Sequence, residues 1–144
     1  MILNSTYTDK VNTQLTNDLV GKPFSLLKRL QLGGIGSKRM VISKVSLNLR
    51  KYLNTIADIN YANIELRPAG ILIHINKGLQ TFTWIIPYYQ LVIYKTDGSS
   101  IHSQGRFILF KQNMLLNANR EFFKKMMDLK INYDTNFKSP TMTL

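Results

Sequence analysis

Eight cations stand between positions 22 and 51 with no acidic residue among them: Lys22, Lys28, Arg29, Lys38, Arg39, Lys44, Arg50 and Lys51. Charges of one sign at that density attract polyanions over about a Debye length, about 8 Å at physiological salt. The whole chain has the same bias, with 19 Lys and Arg against 8 Asp and Glu, a net charge of +11 and an isoelectric point near 10.0. The same residues also suit a solvated surface, because the sequence does not show whether they converge. A second set is aromatic. Trp84, Tyr88, Tyr89 and Tyr94, with Phe82, have the ring faces on which nucleic-acid bases stack, and they equally suit the core and corners of a small barrel. Tyr88 and Tyr89 cannot both point inward from a regular strand, so one of them is the expected exposed aromatic.

Catalytic chemistry is poorly supplied. The titratable candidates are His74, His102, Asp58, Glu65 and Asp97, with a few serines. His102 lies between Ser100 and Ser103, but Ser103 falls on the opposite face of a strand and no acid completes a triad. His74 alternates with Ile71, Ile73 and Ile75, a pattern that places it on the surface or in a satisfied hydrogen bond. There is no cysteine and no H-x-x-x-H pair, which removes thiolate chemistry and the familiar zinc motifs. The glycines at 33, 34 and 36, followed by Ser37 and Lys38, lack the spacing of a phosphate-binding loop. No catalytic residue, metal or cofactor is expected.

The elements that must position these groups follow from periodicity. At 144 residues the chain makes one domain, read as an N-terminal helical and basic extension (1–39), a β-rich domain closed by a helix (40–133) and a loose tail (134–144). Thr8 or Asp9 caps a first helix with Val11, Leu15 and Leu19 on one stripe, stopped by Gly21 and Pro23. Phe24, Leu27 and Leu30 form a second, short basic stripe around Lys28 and Arg29, ended by Gly33-Gly34. It is expected to pack on the protein's own core, since so short a helix holds weakly to an anionic membrane unaided.

From Met40 the period becomes two. Val41, Ser43, Val45, Leu47 and Leu49 share one face of a strand, and Pro68-Ala69-Gly70 reverses the chain, with Gly70 supplying a positive φ. Pro87 has no N–H to give to a ladder, so the apolar run "TWIIPYYQLVIYK" reads as a strand, a corner and a second strand. Asp97-Gly98 marks a hairpin turn into a strand over 101–111, in which Gly105 marks a bulge. Leu115, Ala118, Phe122, Met126 and Leu129 then make one stripe of a helix, capped by Asn117 or Asn119.

With its Ile86, Pro87, Tyr88 and Leu91 pattern, its "SIHSQGRFILF" strand and its closing "NREFFKKMMDLK" helix, the segment 40–130 resembles the pleckstrin-homology-like superfold. It also resembles a bacterial family without an assigned activity. The resemblance implies an α+β, mostly β fold: a small antiparallel β-barrel or sandwich with a C-terminal amphipathic helix, here preceded by a short N-terminal helical segment. It implies a non-enzymatic binding or scaffolding module. The expectation is a module that engages an acidic partner through Lys28, Arg29, Lys38, Arg39, Arg50 and Lys51, with Tyr88 or Tyr89 as an aromatic contact. That partner is an acidic protein, a nucleic acid or an anionic lipid headgroup. The alternative is a nucleic-acid-binding accessory protein that stacks bases on its aromatics. The N-terminus has neither a basic nor an apolar leader region and no apolar run reaches the ~20 residues of a membrane span, so the expected location is the cytoplasm. If strand 101–111 lies at an exposed sheet edge, it offers a route to a homodimer.

Overall fold

The structure, a computed structural model, describes residues 1–54, 59–94 and 99–142, with side chains to residue 136. Its elements are β1 (Ile2–Asn4), α1 (Lys10–Val20), α2 (Leu26–Leu32), β2 (Met40–Val45), β3 (Tyr61–Arg67), β4 (Gly70–Lys77), β5 (Gln80–Pro87), β6 (Val92–Tyr94), β7 (Ser100–Ser103), β8 (Arg106–Phe110), α3 (Met114–Asn117) and α4 (Arg120–Met142). The fold is α+β, and its body is one eight-stranded antiparallel sheet ordered β1-β5-β4-β3-β2-β8-β7-β6. The sheet is not closed into a barrel, since β1 and β6 remain its edges. It curls far enough for Gln104, in the β7–β8 turn, to accept from Trp84 Nε1 and donate to the carbonyl of Ile85 on β5.

Alternation decides what is buried. Ile64, Leu66, Ile73, Trp84, Ile86, Ile101 and Ile108 line the inner face and meet Phe122, Phe123 and Met126 of α4. On the outer face of β4 and β5, Leu72 and Ile85 pack with Val20 of α1 in a second, smaller core. Pro87 ends β5 and starts a single 3₁₀ turn at Tyr88–Gln90, so the expected corner is present.

Several sequence expectations are corrected. Residues 101–111 are not one strand at an edge but β7 and β8, both interior to the sheet. Gln104 and Gly105 have φ of +55° and +74°, the signs of a two-residue hairpin turn rather than of a bulge. The bulge lies instead in β2, between Ile42 and Lys44. It resets the alternation, so Met40, Ile42 and Val45 are buried while Val41 is half-buried and Leu47 exposed. Gly70 has no positive φ; a Cβ there would collide with the Ile86 carbonyl oxygen, Val20 Cγ1 and Pro87 Cα. The closing helix runs past Tyr133 to Met142, and an i,i+4 ion pair between Lys130 and Asp134 spans the point where it was expected to end. The Asp97-Gly98 turn and Asp58 lie outside the described residues.

Candidate partner-binding surface

Ser25 caps α2 by accepting from the Lys28 amide, and Gly33 closes it in the left-handed conformation. None of its seven residues is buried. Leu26, Leu27 and Leu30 are 73%, 68% and 72% exposed, side by side at i, i+3 and i+4 spacing, and the expected packing of this stripe on the core does not occur. Only Phe24, ahead of the helix, reaches the main core. Leu47, Leu79 and Met114 are also exposed, Leu79 on the rim of a depression shared with the exposed Tyr7. The three leucines of α2 form a cluster.

Cations lie on α2 and at its C-terminal end. Lys28 and Arg29 lie on α2 itself, and Arg29 Nε donates to the Phe24 carbonyl at 3.0 Å. Lys125 of α4 donates to the carbonyls of Gly33 and Gly34, which ties the end of α2 to α4. The Asn119 side chain joins Lys38 to the same helix, accepting from its amide and donating to its carbonyl. Arg39 lies 4.4 Å from the Tyr61 ring centroid. The C-terminal end of α2 and Lys38 therefore lie beside the start of α4, where Arg120 and Lys124 are exposed.

Arg50 and Lys51 are elsewhere. They occupy a 3₁₀ turn, Leu47–Tyr52, beyond the far end of β2, a strand roughly 17–20 Å long. Lys77 of the β4–β5 hairpin donates to the Lys51 carbonyl, and Lys51 Nζ sits 5.2 Å from the Tyr52 ring centroid. The basic segment 22–51 thus divides into two groups. The aromatic pair also resolves: Tyr89 is 66% exposed, whereas Tyr88 is fully buried and is corrected from contact residue to core residue. Its hydroxyl donates to the Arg67 carbonyl, its ring tilts against Tyr133, and burial raises its pKa above the usual tyrosine range. Trp84 is buried as well, and Phe82 packs edge-on against Tyr52.

Two of the titratable candidates, Glu65 and His74, meet under α1. Arg67 Nε donates to Glu65 at 2.7 Å, and its Nη1 reaches Asn17 Oδ1 and the Gly21 carbonyl. His74 lies between Glu65, at 3.5 Å, and Thr83 Oγ1, at 2.8 Å, and Thr83 is hydrogen-bonded onward to Ser5. The hydrogen bond from His74, followed by those and the charge of Arg67, outweighs desolvation and lowers the Glu65 pKa to about 2. An acid, an imidazole and two hydroxyls in a row have the elements of a proton relay. Here every member is partnered within the network, and its guanidinium is the tether that holds α1 to the sheet. The sequence signal for this cluster was the polar alternation of Asn63, Glu65 and Arg67 on β3 opposite His74 on β4. His102 is separate, stacked on Phe107 at 5.3 Å with Tyr94 edge-on. Among the described residues no group of three or more acidic or histidine side chains is placed to hold a metal ion, and no helix is long and apolar enough to cross a membrane.

No family model, curated protein or solved structure matches the chain.

Proposed function

We propose that the protein is a non-enzymatic binding module that engages an acidic partner through α2 and the cations beside it, and that this partner is an anionic lipid surface. The observation that carries the reading is the exposed Leu26, Leu27 and Leu30 cluster set among Lys28, Arg29 and Lys125. A bare polyphosphate offers the leucines nothing apolar, whereas an anionic leaflet has a negative face over a hydrocarbon layer. A helix of roughly 10 Å that buries none of its residues projects from the protein and suits insertion better than it suits a cleft. Each leucine contributes roughly 1.5–3 kcal/mol when fully removed from water, and each cation near such a surface about 1 kcal/mol. The cations of α4 add to what a short helix lacks by itself. Within the same proposal the fold is pleckstrin-homology-like: two meanders, β2–β5 and β6–β8, meet through β2 and β8, with a C-terminal helix against the core. The nucleic-acid alternative has less support, because Trp84 and Tyr88 are in the core and only Tyr89 and Tyr94 of the expected platforms are exposed.

Co-sedimentation with phosphatidylcholine vesicles, with and without phosphatidylserine, tests the reading. Binding is expected only with the anionic lipid, weakened by salt and lost in the triple variant Leu26→Ser/Leu27→Ser/Leu30→Ser. Failure to bind anionic vesicles, or undiminished binding by the variant, refutes it. Single-strand DNA binding that survives physiological salt and is tighter than the non-specific range of roughly 10⁻⁴–10⁻⁶ M would favour the alternative.

A further inference from the structure

α1 is buried against the sheet only in its C-terminal half, through Thr16 and Val20, whereas Asp9, Val11 and Thr13 at its start are exposed. Between that first half and the outer face of the sheet lies a cleft of about 220 Å³, lined by Asp9, Asn12 and Thr13 on one side and by Leu3, Glu65 and His74 on the other. Beside Tyr7 it meets a second, outer depression of about 600 Å³, and the two share Tyr7, Thr8, Asp9 and Asn12. Together they have the size of a small-molecule cleft, roughly 300–1,000 Å³.

The strand residues of the cleft share one face. His74 is paired with Thr83, Thr83 with Leu3, and Glu65 with Leu72, so alternation turns all five toward α1, where Leu72 packs on Val20. The side chains of Glu65 and His74 keep 28% and 23% of their surface exposed, and a molecule in the cleft reaches both from the side that Asn12 faces. Glu65 has capacity to spare: a carboxylate accepts about four hydrogen bonds, and Arg67 and His74 occupy two. Those partners also fix its orientation, since Arg67 is anchored to Asn17 and the Gly21 carbonyl and His74 to Thr83. Across the cleft, Asp9 caps α1 through Oδ1 and Asn12 donates through Nδ2. Asp9 Oδ2 and Asn12 Oδ1 have no partner among the described residues.

Open acceptors on both walls call for a ligand that donates. An anion is poorly served, because no lysine lines either depression and the one guanidinium, Arg67, is buried and already bonded three times. A cation gains little at Glu65, whose charge Arg67 balances. At the mouth the Tyr7 ring is 85% exposed and offers an apolar face. We propose that the cleft under the first half of α1 binds a small neutral polyol of the monosaccharide class, independently of the α2 surface. Ligand hydroxyls donate to Glu65, Asp9 and Asn12, two of these bonds being charge-assisted, and the C–H face of the sugar ring lies on Tyr7. Acceptors held in place before the ligand arrives lower the ordering cost of binding.

The test is an NMR titration of the full chain with D-glucose, D-galactose and D-ribose in turn, following the backbone amide signals of Tyr7, Asn12 and Thr13. Sodium acetate and tetramethylammonium chloride serve as charged controls. Saturable movement of the three signals is expected with at least one sugar. Asn12→Ala and Tyr7→Ala, both outside the core, are each expected to weaken that binding about fivefold or more, as the loss of one hydrogen bond or one stacking face should. Loss of the α2 leucines should leave the titration unchanged. The proposal is overturned if no sugar gives saturable movement, if both variants bind as wild type does, or if a charged control moves the same signals as far as the best sugar.

Discussion

α1 and α2 have the same ingredients and opposite fates. Each is short and amphipathic, capped at its start, by Asp9 and Ser25 respectively, and stopped by a glycine, Gly21 or Gly33. α1 lies on the sheet: Val20 is completely buried against Leu72 and Ile85, Arg67 reaches Asn17 and the Gly21 carbonyl, and the Ala69 amide donates to the Val20 carbonyl. α2 is tied at its C-terminal glycines by Lys125, and its Leu26, Leu27 and Leu30 stay exposed. An apolar stripe records that a surface needs cover. What supplies the cover depends on the facing element, which for α1 is a strand pair with a guanidinium at its end and for α2, on the proposed reading, is an anionic lipid surface.

The contrast can be broken from the α1 side. Gly70→Ala should have the largest effect, because its Cβ would displace both the β5 backbone and Val20; a loss on the order of 3 kcal/mol or more is expected by urea denaturation. Arg67→Met removes the tether to Asn17 and Gly21 and leaves the Glu65 carboxylate without its guanidinium, for a loss of about 2–3 kcal/mol by the same measurement.

A smaller loss follows acid. Glu65 titrates at about 2 in the folded chain against an ordinary 4.5, so its contribution is complete above pH 4.5, shrinks as the pH falls below that value, and is gone once the pH is below about 2. With its side chain 28% exposed, the amount is on the order of 2 kcal/mol. Urea melts between pH 6 and pH 2 should show this decline in wild type but not in Glu65→Gln, which has no carboxylate to protonate. Least affected should be the triple serine variant of α2, within about 0.5 kcal/mol of wild type, since surface substitutions away from packed groups change stability little.

Much of the scaffold was legible in the sequence, and the exceptions have physical causes. Pro87 announced its corner because a residue without an N–H cannot continue a ladder. Phe122 and Met126 announced the face of α4, since a helix repeats regularly over several turns. The inward face of β2 was assigned to the wrong parity because a bulge leaves no mark in side-chain type and inverts everything on one side of it. In α1 the expected stripe includes Val11, which is 66% exposed; Thr16 and Val20 are buried because the sheet meets the helix at its C-terminal half. Tyr88 and Tyr89 could not be told apart, since a 3₁₀ turn, not a strand, decides which faces the core.

The candidate surface was half legible. Leu27, Leu30, Lys28 and Arg29 stood out by spacing, but their exposure depends on what the rest of the chain places opposite them. Arg50 and Lys51, close in sequence to Arg39, are separated from it by the length of β2. The cross-strand pairing of Ser103 with Arg106 was not legible, because it requires a two-residue turn at Gln104-Gly105 where the sequence suggested a bulge.

The most direct test of the central claim, that the apolar face of α2 is reserved for an anionic interface, compares wild type with Leu26→Ser/Leu27→Ser/Leu30→Ser for binding to phosphatidylserine vesicles, with urea melts of both proteins alongside. The account predicts unchanged stability and lost binding. Lost stability would place the leucines in the protein's own packing, and binding that survives the substitutions would show that the interface is elsewhere; either result contradicts it.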